Sequence, residues 1–173
     1  VSVFPKDVIN LYTRILKRAE LFPLSFQSES VSASRSIVKW GDDQTYLILR
    51  FLKDQVNVGV VEEGAIQYAS VISTDMDKVV ADYESEEANS LNEALNKVLI
   101  YWFTNKAGGT IHQKIESALI TGGYVNSKGL KEFLERKLKI DVEVADVWSN
   151  CFSTEEYIPE IPKEEALNYA VAI

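Results

Sequence analysis

The chain has 173 residues, of which 46% are hydrophobic and 25% are charged, as in an ordinary globular domain. This length is sufficient for one domain with a real hydrophobic core. The formal net charge of −8 and the pI near 4.8 disfavour a nucleic-acid partner. The single Cys151 excludes an internal disulfide and fits a reducing compartment. No apolar run approaches the roughly 20 residues that span a bilayer.

Residues 1–40 predict two helices that lead into the domain. Pro5 suits a first helical turn, and the apolar residues after it recur at spacings of three and four. This pattern predicts an amphipathic helix of about 16 residues. Pro23 interrupts the next apolar stretch, at 21–26, which predicts a short extended segment or weak strand. A second, weaker helix is expected near residues 30–38.

Residues 44–73 predict a meander of three antiparallel strands, at 45–52, 55–62 and 65–73. The valines at 56, 58 and 60 alternate with other residues, which predicts a sheet with one buried face.

Residues 75–107 predict helices with two apolar faces, separated by a solvated break at 84–87. Trp102 falls on the stronger of these faces, so we expect it in the core. Residues 115–173 predict a strand at 117–121, a helix at 127–137 capped by Ser127, a strand at 141–144 and a final helix at 164–173.

A pair of glycines, Gly122 and Gly123, joins the strand at 117–121 to the helix that follows. Strand, glycine turn and helix is an arrangement in which a bare backbone and helix amides can meet a nucleotide. Adjacent glycines are also common in simple tight turns, so both interpretations stay open. Tyr124, the next residue, could stack on a base or fill the pocket that a base would occupy.

Several segments around these glycines resemble the type IV pilus assembly protein PilM family, which is related to the cell-division protein FtsA. They are Leu119-Ile-Thr-Gly-Gly123, Lys128-Gly-Leu-Lys-Glu-Phe-Leu134, Ile140-Asp-Val-Glu-Val144 and Asn168-Tyr-Ala-Val-Ala-Ile173. The resemblance implies an α/β fold: the second lobe of an actin-like (RNase H-like) ATPase. Such a lobe is a mixed sheet with an antiparallel three-strand meander and flanking helices. It would occupy residues 1–173 as one unit, as a fragment of a longer protein that also has a first lobe.

The resemblance also shows a departure at the first hairpin, where the actin-like fold carries an Asp-x-Gly phosphate loop with a Thr four residues on. Arg50 stands in place of the Asp, Leu52 in place of the Gly and Val56 in place of the Thr. An arginine cannot coordinate magnesium, which prefers oxygen ligands. We therefore expect no metal site, no catalytic residue and no enzyme activity. Nucleotide binding, if retained, would involve Gly122, Gly123 and Tyr124.

By resemblance, the chain would be a cytoplasmic scaffold, peripheral to the inner membrane through a partner. That partner would be the cytoplasmic segment of a PilN-like membrane protein, with other pilus platform proteins nearby. No cofactor is expected in this lobe, although the longer protein could bind ATP. The alternatives are an ATP-binding enzyme or filament protein of FtsA-like or sugar-kinase-like type, and a stand-alone ligand-binding module.

The remaining candidate residues favour structural roles. For Arg50, a salt bridge or a solvated strand end is a better interpretation than phosphate binding. His112 has no metal-ligand spacing around it, and Cys151 has no basic neighbour that would activate it. Tryptophans can anchor a partner, and Trp148, in the loop after the last strand, is a better surface candidate than Trp102.

Overall fold

The computed structural model describes residues 4–104, 113–148, 150, 152, 160–161 and 163–170. His112 and Cys151 lie outside these residues. The elements, in chain order, are α1 (Lys6–Arg18), α2 (Glu29–Ile37), β1 (Tyr46–Phe51), β2 (Gln55–Glu62), β3 (Ala65–Ser73), α3 (Met76–Ala81), α4 (Glu86–Thr104), β4 (Ser117–Gly122), α5 (Leu130–Leu138), β5 (Asp141–Val144) and α6 (Lys163–Ala170).

The strands form one mixed sheet in the order β3-β2-β1-β4-β5. β1, β2 and β3 pair antiparallel, which confirms the predicted meander. β4 lies parallel to β1, and β5 lies parallel to β4. The carboxyl ends of these three parallel strands therefore lie at the same end of the sheet.

Helices cover both faces of the sheet. α3, α4 and α5 pack on one face, where a large cluster includes Phe51, Leu95 and Phe133. Trp102, which is only 2% exposed, belongs to this cluster, as predicted. α2 and α6 pack on the opposite face around a smaller cluster that includes Ile48 and Leu167.

The half-buried character predicted for the second strand is wrong. Val56, Val58 and Val60 are buried on the face that packs against α4, but Gly59 and Val61 are buried as well. The reason is that α2 packs on the opposite face of β2. Both faces of this strand are therefore shielded from solvent, although its valines at 56, 58 and 60 all lie on one face.

The helix after the glycine pair begins at Leu130, three residues later than predicted, and Ser127 is not its cap. Gly129 precedes it with a φ of 86°, a left-handed conformation that cannot continue an α-helix. A Cβ at Gly129 would lie 3.0 Å from the ring of Tyr83, so the turn also needs a residue without a side chain. Residues 21–26 form neither a strand nor a helix, so the predicted weak strand is wrong. Among the described residues, no helix combines the length and the apolar character that crossing a bilayer requires.

Candidate functional site

The candidate site lies at the carboxyl ends of β1, β4 and β5. In open α/β sheets, ligands bind outside the carboxyl ends of the strands, next to the point where the strand order reverses. Three loops surround this point: residues 52–54 after β1, 123–129 after β4 and 145–148 after β5.

Gly122 is the last residue of β4 and packs directly on the backbone of β1. Its φ is 101°, and a Cβ added there would lie 2.2 Å from the carbonyl oxygen of Phe51. The next amide, that of Gly123, donates a hydrogen bond of 3.1 Å to the same oxygen. The absence of a side chain at Gly122 is therefore required for the junction of two strands, whatever else the loop does.

Gly123 has a different environment. It is exposed, its φ lies outside the left-handed region, and a Cβ added there would meet no atom within 4 Å. Of the two glycines, only Gly123 faces open space at the mouth of the loop.

Tyr124 is tied to the fold by its hydroxyl group. The hydroxyl donates a hydrogen bond of 2.6 Å to Oδ1 of Asp77, in the first turn of α3, and the ring packs against the large core cluster. The hydrogen bond to Asp77, followed by partial burial, raises the pKa of Tyr124 to about 12. The ring therefore fills space between the glycine loop and α3.

Carboxylates dominate the open depression beside this loop. Asp54, Asp75 and Asp77 line a volume of about 590 Å³ together with Lys53 and Thr74. Nζ of Lys53 lies 3.7 Å from Asp77, and both side chains are largely exposed. Within the described part of the chain, no three histidine, cysteine or carboxylate side chains are placed to hold a metal ion. A polyphosphate in this depression would meet net negative charge.

A second pocket of about 340 Å³ lies between the ends of β4 and β5 and α6. Its walls are mostly apolar: Thr121, Val125, Val144, Ala145, Asp146, Val147, Trp148, Ile161 and Ala166. Sequence reasoning missed this pocket because its walls come from segments that lie far apart in the chain.

The predicted surface candidate Trp148 lies in the wall of this pocket. Its indole is half-buried, and its ring centroid lies 5.4 Å from that of Phe152. A partner at Trp148 stays a prediction. Trp40, before β1, is 80% exposed and is the tryptophan that is available to a partner.

Arg50, which the resemblance aligns with the aspartate of an actin-like phosphate loop, has its guanidinium engaged inside the fold. It forms an ion pair with Glu29 of α2, and Nη2 donates a hydrogen bond of 2.6 Å to Oδ1 of Asn168 on α6. Asn57 donates to the second Glu29 oxygen at 3.1 Å. The salt-bridge interpretation is thereby confirmed. Nε of Arg50 is buried and has no hydrogen-bond partner among the described residues.

Comparison with known proteins gives the fold. No family model matches the sequence, and no curated protein sequence matches it either. A chain of the PilM–PilN type IV pilus biogenesis complex matches 96% of this chain with a TM-score of 0.64 and 14% sequence identity. The fold is that of the actin-like ATPases.

Two further solved structures have the same fold. The ethanolamine utilization protein EutJ from Carboxydothermus hydrogenoformans matches 99% of this chain with a TM-score of 0.56 and 14% identity. MreB5 of Spiroplasma citri bound to ADP matches 87%, with a TM-score of 0.57 and 10% identity. The chain spans 57% of the PilM–PilN chain, 62% of the EutJ chain and 64% of the MreB5 chain, less than two thirds in each case.

Proposed function

We propose that this chain is one lobe of an actin-like clamp that works as a PilM-like scaffold of the type IV pilus inner-membrane complex. In this proposal the lobe is cytoplasmic, peripheral to the membrane, and is not an enzyme. The observation that carries the proposal is the engagement of Arg50 by Glu29 and Asn168, at the position where a nucleotide-hydrolysing relative would place an acidic residue.

The chemistry of this hairpin argues against metal-assisted phosphate binding. Arginine offers no lone pair to magnesium, and here its positive charge is already compensated by Glu29. Leu52 and Val56 place apolar side chains where a phosphate loop needs a bare backbone and a hydroxyl group. Each lost charged hydrogen bond costs roughly 1.5–3 kcal/mol of binding free energy.

The glycine loop supports weak binding at best. Gly122 is occupied in strand packing, and Tyr124 is held against Asp77. Only Gly123 leaves open backbone for a ligand, and the depression beside it is acidic. A retained nucleotide would therefore lack both a metal and a positively charged cradle in this lobe.

The partner in this proposal is the cytoplasmic segment of a PilN-like membrane protein, together with other pilus platform proteins. Its basis is the similarity to a PilM chain that was solved in complex with PilN. A scaffold of this kind presents a rigid surface of sheet and helices to its partner. A ligand that binds one arrangement of the two lobes more tightly shifts the protein towards that arrangement, and this requires no nucleotide hydrolysis.

Calorimetric titration of the chain with ATP and magnesium tests the proposal. We expect no binding tighter than about millimolar, equivalent to roughly −4 kcal/mol. A micromolar dissociation constant that requires magnesium would refute the degenerate-loop argument. Such a result would favour the alternative, an FtsA-like or sugar-kinase-like ATP-binding protein. The similarity to MreB5 bound to ADP is the observation behind this alternative.

A stand-alone ligand-binding module is the other alternative, and the 340 Å³ apolar pocket beside Trp148 is the feature that favours it. Quenching of tryptophan fluorescence by a small aromatic ligand, lost in Trp148→Ala, would support that function over the scaffold.

A further inference from the structure

The two edge strands of the sheet differ in how they are protected. β5, at one edge, has only four residues, and two of them, Asp141 and Glu143, are acidic. β3, at the other edge, has nine residues, and none of them is charged or a proline. Soluble proteins block edge strands by making them short, charged or interrupted by proline, because an unpaired edge can accept a further strand. β3 has none of these three features.

The backbone of β3 offers hydrogen-bonding groups along its outer side. β3 pairs with β2 from Ala65 to Ser73, and among the described residues no strand lies on its other side. In an antiparallel ladder, the N–H and C=O groups of alternate residues point away from the neighbouring strand. Within the described part of the chain, no hydrogen bond from a turn or loop backbone reaches residues 66–72. The outer groups are therefore placed to pair with an added strand.

Apolar side chains flank this edge on both faces of the sheet. On the face that α4 covers, the ring centroid of Tyr68 lies 5.3 Å from that of Tyr101, which is 48% exposed. Ile100, the preceding residue of α4, is 61% exposed. Val71, whose side chain points to the other face because it is an odd number of residues from Tyr68, is 57% exposed. An added strand would therefore meet apolar groups with its own side chains on either face.

The size of this surface favours an added strand over a globular partner. The side chains of Val71, Ile100 and Tyr101 together expose on the order of 300 Å², whereas each partner of a stable globular complex contributes about 800 Å². A strand that extends a sheet gains much of its affinity from main-chain hydrogen bonds, so it needs less apolar area.

Acidic side chains lie at both ends of β3. Glu62 and Glu63 precede the strand, and the depression after it is lined by three carboxylates and one lysine. An added strand with Lys or Arg at both ends would complement this arrangement. A second copy of the chain fits less well. If two β3 strands paired antiparallel, the acidic start of one would face the acidic end of the other.

We propose that the outer edge of β3 binds an extended segment of another protein, which pairs with β3 as a sixth strand. That segment has apolar side chains at alternate positions and Lys or Arg at both ends. The docking edge requires neither a nucleotide nor a pilus partner, so it stands apart from the proposed function.

Fluorescence anisotropy with a designed peptide tests the proposal. The probe is fluorescein-labelled Lys-Lys-Val-Thr-Val-Thr-Val-Lys-Lys, which is titrated with the full 173-residue chain. One control peptide is N-methylated at its Val and Thr residues, which keeps the side chains and the charge but removes the N–H groups that would pair with β3. A second control peptide has Glu in place of every Lys.

We expect each control peptide to bind at least about tenfold more weakly than the probe, because one lacks the backbone donors and the other lacks the complementary charge. Two protein variants place the same substitution at exposed valines, Val71→Lys on β3 and Val8→Lys on α1. Val71→Lys should weaken binding of the probe at least about fivefold, and Val8→Lys less than about twofold. Hydrogen–deuterium exchange should be slowed by the probe at residues 65–73 but not at residues 141–144.

Four results would overturn the proposal: no binding of the probe, equal binding of the N-methylated peptide, equal effects of the two substitutions, or slowed exchange elsewhere than in β3. A dimer in sedimentation velocity that Val71→Lys dissociates would also overturn it, because a second copy would then occupy the edge. The peptide controls leave the protein unchanged, so they decide the matter even where a substitution impairs folding. Micromolar ATP binding would bear on the proposed function alone.

Discussion

The two adjacent glycines at the end of β4 should respond to alanine in opposite directions. In Gly122→Ala, the new Cβ would lie 2.2 Å from the carbonyl oxygen of Phe51, at a φ of 101°. Rotation of a side chain cannot relieve this contact, because the obstructing atom belongs to the backbone of a central strand. In Gly123→Ala, the Cβ would enter open space at an ordinary φ.

The magnitudes follow from these geometries. For Gly122→Ala, the left-handed conformation costs about 1–2 kcal/mol and the overpacked junction about 1–3 kcal/mol. Reduced freedom of the unfolded chain offsets about 0.4–1 kcal/mol, which leaves a destabilisation of about 1–5 kcal/mol, with a middle value of about 3 kcal/mol. For Gly123→Ala only the unfolded-state effect remains, so this variant should be unchanged or more stable by up to about 1 kcal/mol.

Urea unfolding followed by tryptophan fluorescence measures both changes. With a slope of about 2 kcal/mol per molar urea, the middle of the usual range, a destabilisation of about 3 kcal/mol should lower the midpoint for Gly122→Ala by roughly 1.5 M. The reasoning is refuted if the two variants have the same midpoint, or if Gly123→Ala is the less stable one. Neither effect should depend on added ATP, because a packing role for Gly122 needs no ligand.

Two further predictions concern polar contacts. Glu29→Ala should lower the free energy of unfolding by about 1–3 kcal/mol in urea, because Arg50, whose side chain is only 14% exposed, loses its carboxylate. Glu87→Ala, which breaks an ion pair with Lys78 at the surface, should lower the free energy of unfolding much less than Glu29→Ala does, and equal losses would contradict the assigned role of Arg50. The folded-state pKa of Tyr124 is raised to about 12, so its contribution to stability is complete below the ordinary value of 10 and is lost as the pH rises towards 12. Between pH 9 and pH 11, the free energy of unfolding should therefore decrease less for Tyr124→Phe than for the unsubstituted chain. The control is Tyr12→Phe, at an exposed tyrosine. An equal decrease for Tyr124→Phe and the unsubstituted chain would count against the hydrogen bond to Asp77.

Local patterns of the sequence predicted most of the secondary structure. The meander, the break between α3 and α4 and the burial of Trp102 depend on turn residues and apolar spacing within a few residues. The start of α5 was missed because the left-handed turn at Gly129 depends on Tyr83, which lies 46 positions earlier in the chain.

The sequence by itself determined which side chains avoid water and where the chain turns, because these follow from local spacing. Tertiary structure decided what those side chains meet. It brought Glu29, Arg50, Asn57 and Asn168 into one polar cluster, and it used Gly122 to join β4 to β1. Within the part of the chain that the structure describes, no residue of α1 is buried, although its apolar pattern alone resembles that of a buried helix. Spacing shows that a face is apolar, but its partner depends on contacts between distant segments, which no local pattern encodes.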